Sequence, residues 1–275
     1  MTGALGGYGS PVRDAINVVT WDDGAVTGDR AVFVHGSTTW GTSAFARQRP
    51  LAHRYRLELM DRRGYGDSPD VAHSDATVDA QDLAALLAGR PAHLVGHSSG
   101  AVVALLAAAR DPGAVRSLTL IEPSCYRAVP NDPVLASARA QNLEALAAAS
   151  RRPPVSPAEY LRRSAESLDL PAPEPTPPRL RAAETAMRER PAWDVEVPLE
   201  GIGTAPWPKL VICGTWASAP ERYRRLGGEP SMACGRAVAQ AIGAELVTVR
   251  CSAHEPHWEQ AEVVNATLLK LWEQA

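Results

Sequence analysis

Ser98 stands between Gly96 and Gly100 in the stretch His93-Leu94-Val95-Gly96-His97-Ser98-Ser99-Gly100, and the apolar run 101–106 follows at once. In this Gly-x-Ser-x-Gly pattern a short apolar run stops at glycine, and an alanine-rich helix begins just after the serine. A serine at the apex of such a strand-to-helix turn projects its hydroxyl out of the sheet from a strained backbone. Small residues on either side let the strand and the helix pass close to the bend. The helix start turns free N–H groups and a positive dipole end toward any negative charge formed beside the serine. A free hydroxyl is a poor nucleophile, so this chemistry needs a base within hydrogen-bond reach. The segment Ala253-His254-Glu255-Pro256-His257 supplies His254, just past the last apolar strand pattern.

The elements that must position these residues follow from the hydrophobic pattern. Strands are expected at 16–21, 31–34, 55–60, the run ending at Ser98, 117–121, 209–214 and 245–249. Continuous apolar runs such as Ala31-Val32-Phe33-Val34 mark strands buried on both faces. A capped helix is expected from Ser74 or Asp75 to Gly89, with Leu83, Leu86 and Leu87 on one face, and a terminal helix from about Trp258. Strands alternating with helices predict an α/β fold with a mostly parallel sheet covered on both faces. Ligands in such sheets bind beyond the carboxyl ends of the strands, where His35, Ser98, Glu122, Gly214 and His254 all fall. The alternation breaks between about 131 and 208, where helical pieces (135–150, 157–168, 180–190) are separated by proline-rich joints such as Arg151-Arg152-Pro153-Pro154 and 171–178. Semi-rigid spacing between short helices fits that composition better than a proline-module ligand. The expected organisation is a core of residues 1–130 and 206–275 with a helical lid at 131–205.

The composition narrows the partners. The chain has 275 residues, 45% hydrophobic and 21% charged, with a net charge of −3, which suits one large soluble α/β domain. That charge, with no basic stripe, gives no case for nucleic acid. Met1–Ser10 is glycine-rich and carries neither a signal-peptide pattern nor a membrane span, so a cytoplasmic protein that does not engage membranes is expected. Cys125, Cys213, Cys234 and Cys251 lack paired spacing, which argues against zinc and for free thiols. No dinucleotide or Walker loop occurs, and neither a cofactor nor a metal is expected. The oligomeric state is not legible.

Four motifs, each past an expected strand, together resemble the α/β-hydrolase superfamily over nearly the whole chain: His35-Gly36, Asp61-x-Arg63-Gly64-x-Gly66-x-Ser68, the Ser98 turn, and 253–257. The resemblance implies a central sheet of about eight strands, a helical cap inserted after the sixth, and a covered pocket. It implies Ser98 as nucleophile, His254 as base, and backbone N–H groups of Ser37 and Ser99 as the oxyanion hole. Asp61 and Arg63 are expected to tie their loop together, and His97 to point away from Ser98 in a structural role. The acid departs from the usual pattern. Most members carry an aspartate a few residues after the penultimate strand, whereas here no aspartate occurs between Gly214 and Arg250. Glu122, after the preceding strand, is therefore assigned to hold His254 in the right tautomer. The alternatives are a loop carboxylate bonding backbone, with a Ser–His dyad helped by water.

A serine nucleophile fits acyl chemistry: cleavage of an ester, thioester, lactone or amide through an acyl-enzyme. Aromatics near the rim suggest a moderately hydrophobic small-molecule substrate. His35, Trp40, Tyr126, Trp216 and His257 are the expected pocket residues, His257 at the mouth or simply exposed. A lyase or C–C bond-cleaving enzyme with the same residues stays open, since fold does not choose between them. A non-catalytic binding protein is the third reading, motivated by the missing aspartate.

Overall fold

The computed structural model describes residues 14–24 and 29–275, and the glycine-rich stretch Met1–Ser10 lies outside them. Seven strands form one sheet: β1 (Val18–Trp21), β2 (Arg30–Val34), β3 (Arg56–Met60), β4 (Ala92–His97), β5 (Val115–Ile121), β6 (Lys209–Gly214) and β7 (Glu245–Val249). Their spatial order is β1-β3-β2-β4-β5-β6-β7, with β1 antiparallel to β3 and every other pair parallel. This is the α/β-hydrolase architecture, with one strand fewer among the described residues than the resemblance implied.

The period-2 alternation of strands explains how the sheet is buried on both faces. Along β2, Val32 and Val34 join a cluster with Leu94, Leu118, Leu120 and Val211, against the helices α1 (Ala76–Leu87) and α2 (Ser99–Arg110). Ala31 and Phe33 point the other way and pack with Leu57, Leu59 and Ile212. Helix α7 (Ala261–Trp272) covers that second face through Val264, Leu268 and Leu271. Helix α1 starts where a capping side chain was expected: Asp75 accepts from the Thr77 N–H at 2.8 Å.

Between β5 and β6 the chain leaves the sheet and forms α3 (Pro133–Ala149), α4 (Pro157–Glu166) and α5 (Pro177–Ala186), each with proline in its first turn. These replace the expected spans by starting at the proline and ending one to four residues sooner. Helix α6 (Glu229–Ile242) then packs on β6. The expected terminal helix from Trp258 is in fact a short turn, Pro256–Glu259, followed by α7. The break at Gln260 (φ −132°) follows Glu259, whose carboxylate accepts from the N–H groups of Ala253 and Glu255 and so folds back onto the loop carrying His254.

The glycines flanking Ser98 are close-approach positions. A Cβ at Gly96 would lie 2.6 Å from the Ala101 Cα, and one at Gly100 would collide with the carbonyl oxygens of Val34 and His35. Backbone cannot retreat here as a flexible side chain would. Gly100→Ala should therefore cost at least the roughly 1–3 kcal/mol typical of an overpacked core. The expected readout is a lower urea midpoint with an unchanged slope.

Candidate active site

Six non-glycine residues among those described have positive φ, and five of them sit just past a strand's carboxyl end: Thr38 after β2, Ser98 after β4, Glu122 after β5, Trp216 after β6 and Cys251 after β7. Such backbone costs on the order of 1–3 kcal/mol per residue and persists where the surroundings over-determine it. The sheet supplies that constraint by continuing its hydrogen bonds past the strand ends. The Ser98 N–H donates to the Ile121 carbonyl (2.9 Å), the Glu122 N–H to Ile212 (2.8 Å) and the Trp216 N–H to Ser252 (2.9 Å). The rim bends are thus tied to neighbouring strands, and in the case of Trp216 to a neighbouring loop, rather than only to their own strands.

On this rim Ser98 (φ 54°, ψ −119°) directs its hydroxyl to His254, with Oγ 3.1 Å from Nε2. On the far side of the ring, His254 Nδ1 lies 3.8 Å from Glu122 Oε2, an ion-pair distance longer than a hydrogen bond. The Glu122 side chain is fully buried. Its Oε1 accepts from the Gly214 N–H (2.6 Å) and the Trp216 indole N–H (3.2 Å), while Oε2 has no hydrogen-bond partner. One oxygen is used to fix the carboxylate and the other is left facing the imidazole. Burial alone would lower the His254 pKa, but the Glu122 carboxylate, helped by Glu255 and Glu259, overrides it and raises the value above the ordinary 6.5.

His97 is buried, and its Nε2 meets the His254 carbonyl at 2.8 Å, so this ring supports the loop rather than Ser98. Burial, together with the neighbouring His257 and His254, pushes the His97 pKa well down. A neutral ring must then place its one hydrogen on Nε2 to donate to that carbonyl.

Ser37 and Ser99, from the loop after β2 and the first turn of α2, have their hydroxyls 2.9 Å apart. Ser99 opens α2, so its backbone N–H has no intrahelical acceptor. Asp61 ties the loop after β3 as expected, accepting from the N–H groups of Gly41 (2.8 Å) and Asp67 (3.1 Å). Arg63 pairs with Asp82 through two bonds of 2.6 and 2.9 Å.

A cavity of about 550 Å³ opens beside His254. One wall comes from the rim, with Ser37 and Thr38, and the other from the insertion, with Tyr160, Leu161 and Leu168. None of the five expected pocket residues lines it. His35 is buried and accepts from the Arg62 N–H at 3.0 Å through Nε2. Tyr126 belongs to the core, and Trp216 is spent on Glu122. Trp40 is half-buried beside a short helix. His257, expected at the mouth or exposed, is buried under the rim, its ring centroid 4.4 Å from that of His97. The insertion's share of the cavity wall, Tyr160, Leu161, Ser164, Ala165 and Leu168, falls at helical spacing in the sequence.

All four cysteines are free, with Cys125 and Cys234 Sγ atoms 3.7 Å apart in the core. No group of three or more His, Cys, Asp or Glu side chains among the described residues is arranged to hold a metal. No helix among them is long and apolar enough to cross a membrane.

A mostly parallel sheet with a strained serine, a histidine and a buried carboxylate on rim loops defines the α/β-hydrolase class. The model of the alpha/beta hydrolase family matches residues 31–267, and the chain belongs to that family. Over 100 residues, 34% of this chain and 37% of its relative, it is 44% identical to a pimeloyl-[acyl-carrier protein] methyl ester esterase of Methylococcus capsulatus. It is 34% identical over 109 residues to the "Probable lysophospholipase BODYGUARD 1" of Arabidopsis thaliana, covering 36% of this chain and 23% of that one. Both matches thus span well under half of the relatives' length. A solved esterase of Thermogutta terrifontis superposes with a TM-score of 0.63 over 94% of each chain at 23% identity, a likeness of fold.

Proposed function

We propose that the protein is a serine hydrolase that cleaves an ester, thioester or lactone of a moderately hydrophobic small molecule through an acyl-enzyme. The observation that carries this reading is the alignment of Ser98 Oγ, His254 and the free oxygen of Glu122, at 3.1 and 3.8 Å across the imidazole. In this scheme His254 Nε2 takes the Ser98 proton as Oγ attacks the acyl carbon. Glu122 keeps the remaining ring hydrogen on Nδ1 and stabilises the imidazolium. The tetrahedral oxyanion is held by the N–H groups of Ser99 and Ser37. The protonated His254 then gives its proton to the leaving group, and water repeats the sequence on the acyl-enzyme. The names of the esterase and lysophospholipase relatives support an ester substrate. The insertion acts as the lid of this site, residues 131–205 over a core of 1–130 and 206–275, and its apolar wall of Leu161 and Leu168 suits an acyl chain. A cytoplasmic setting completes the proposal.

Labelling with a fluorophosphonate probe, read by intact mass and peptide mapping, tests the reading. A single adduct on Ser98 is the expected result. A folded protein that takes no label would sink it and move the assignment to elimination without a covalent step, or to binding.

The histidine sets a pH dependence that can be checked separately. His254 must be neutral to accept the Ser98 proton, so kcat/KM falls as pH drops through its raised pKa. The acid limb of the profile should therefore lie above 6.5. In Glu122→Gln the main upward influence is removed and burial remains, so the residual activity should show that limb at lower pH. A wild-type limb that lies no higher than that of Glu122→Gln would contradict the Glu122–His254 pairing.

A further inference from the structure

Glu189, just beyond α5 in the insertion, reaches the core at the place where the oxyanion hole is proposed. Its side chain is 9% exposed. Its Oε1 accepts from Arg62 Nη1 at 2.7 Å, and its Oε2 from the Ser37 hydroxyl at 2.5 Å and the Tyr65 hydroxyl at 3.0 Å. Arg62 is itself fully buried and shared with Asp79 at 3.3 Å, so the carboxylate is not an incidental surface contact.

These bonds fix the direction of a longer chain. The Ser37 hydroxyl has one hydrogen and gives it to Glu189, so in the 2.9 Å contact with Ser99 it can only accept. The order is Ser99 O–H to Ser37 Oγ, then Ser37 O–H to Glu189. The two residues whose backbone N–H groups form the proposed hole are therefore cross-linked through their side chains, and the link ends on a carboxylate of the insertion. Arg62 offsets the charge that Glu189 would otherwise present to a developing oxyanion.

We propose that Glu189 is a positioning residue for the oxyanion hole: seating of the insertion on the core sets the spacing of the Ser37 and Ser99 donors. This rests on the serine-hydrolase reading above. Preorganised donors act through their geometry, so the expected loss falls on the tetrahedral state rather than on ground-state binding.

Glu189→Gln tests it. A carboxylate accepts on both sides, but an amide has one oxygen and one NH₂. With the oxygen kept toward Arg62, the NH₂ faces Ser37 and reverses the chain. The readouts are the Ki of an aryl trifluoromethyl ketone, which adds to Ser98 as an oxyanion, and that of the matching uncharged carbinol. A missing oxyanion donor costs about 10²–10³-fold, so a misplaced one should weaken the ketone by roughly tenfold or more. The carbinol, which forms no oxyanion, should stay within about twofold. The same split should appear as a lower kcat on p-nitrophenyl acetate at similar KM. Ser37→Ala, which cuts the link but keeps the Arg62–Glu189 pair and the backbone N–H at position 37, should reproduce the selective loss even if Glu189→Gln folds poorly. Equal loss for ketone and carbinol, or unchanged ketone affinity in both variants, overturns the proposal while leaving Ser98 labelling intact. A wild type that neither labels nor binds the ketone overturns the serine reading and this inference with it.

Discussion

Ser98→Ala should lower kcat against an activated ester by about 10⁵–10⁶-fold, the loss seen when a serine nucleophile that works as a unit with its base is removed. Among the described residues the Ser98 hydroxyl bonds to His254 alone, so its removal leaves no fully buried partner stranded and the urea midpoint should hardly move. Alanine also keeps the β-carbon that defines the turn. The combination of intact fold and lost turnover, measured side by side on p-nitrophenyl acetate, separates chemistry from stability. Retention of more than about a hundredth of wild-type kcat, well above the residual 10³–10⁴-fold over water left by binding and donors alone, would mean that another group attacks the substrate.

Glu122→Gln should cost about 10³–10⁴-fold in kcat. The reason lies in the two oxygens. The introduced glutamine can keep its carbonyl on the Gly214 N–H and the Trp216 indole, the bonds that now fix Oε1. Its NH₂ then replaces Oε2 and points a hydrogen at His254 Nδ1, which sits 3.8 Å away. The imidazole is pushed to the tautomer with hydrogen on Nε2, where it cannot take the Ser98 proton. Because the anchoring bonds survive, thermal stability should fall little. If Glu122→Gln retained activity within about tenfold of wild type, far short of that expected loss, the third member of the triad would be misassigned and a water-assisted dyad would replace it.

The two residues proposed to react were legible because the chemistry asked of them forces a local pattern. Ser98 needs small residues at fixed spacing, and His254 needs only to follow the last strand. Glu122 came from a vacancy elsewhere, the lack of aspartate after Gly214, and the structure gives it a geometry suited to that role. The apolar strand runs read correctly because strands buried on both faces cannot hide in a sequence. Their edges read less well: the ladder of β1 begins at Val18 opposite Met60, although Ile16 already packs on the core. The pocket did not read from its aromatics. Trp216 and Tyr126 are large and near the rim in sequence, but a strand end does not say whether a ring turns into solvent or under the sheet. His257 was lost to the same ambiguity, because the break at Gln260 changes which way the last turn faces. Glu189 gave no signal at all. It is one acidic residue in a polar insertion, and only tertiary folding brings it to Ser37.

The five left-handed residues that follow strand ends also divide the molecule by its tolerance of change. Below the rim, paired clusters of Val, Leu, Ile and Ala fill the sheet faces, and volume-conserving exchanges among them should be absorbed by neighbours. At the rim the bends at Ser98, Glu122 and Trp216 are each held by a hydrogen bond to a neighbouring strand or loop, so an alteration in one is felt in those beside it. Sequence drift in such a chain has free room in the sheet and very little at its upper edge, and the insertion that walls one side of the cavity is tied to that edge through Glu189 and Ser37.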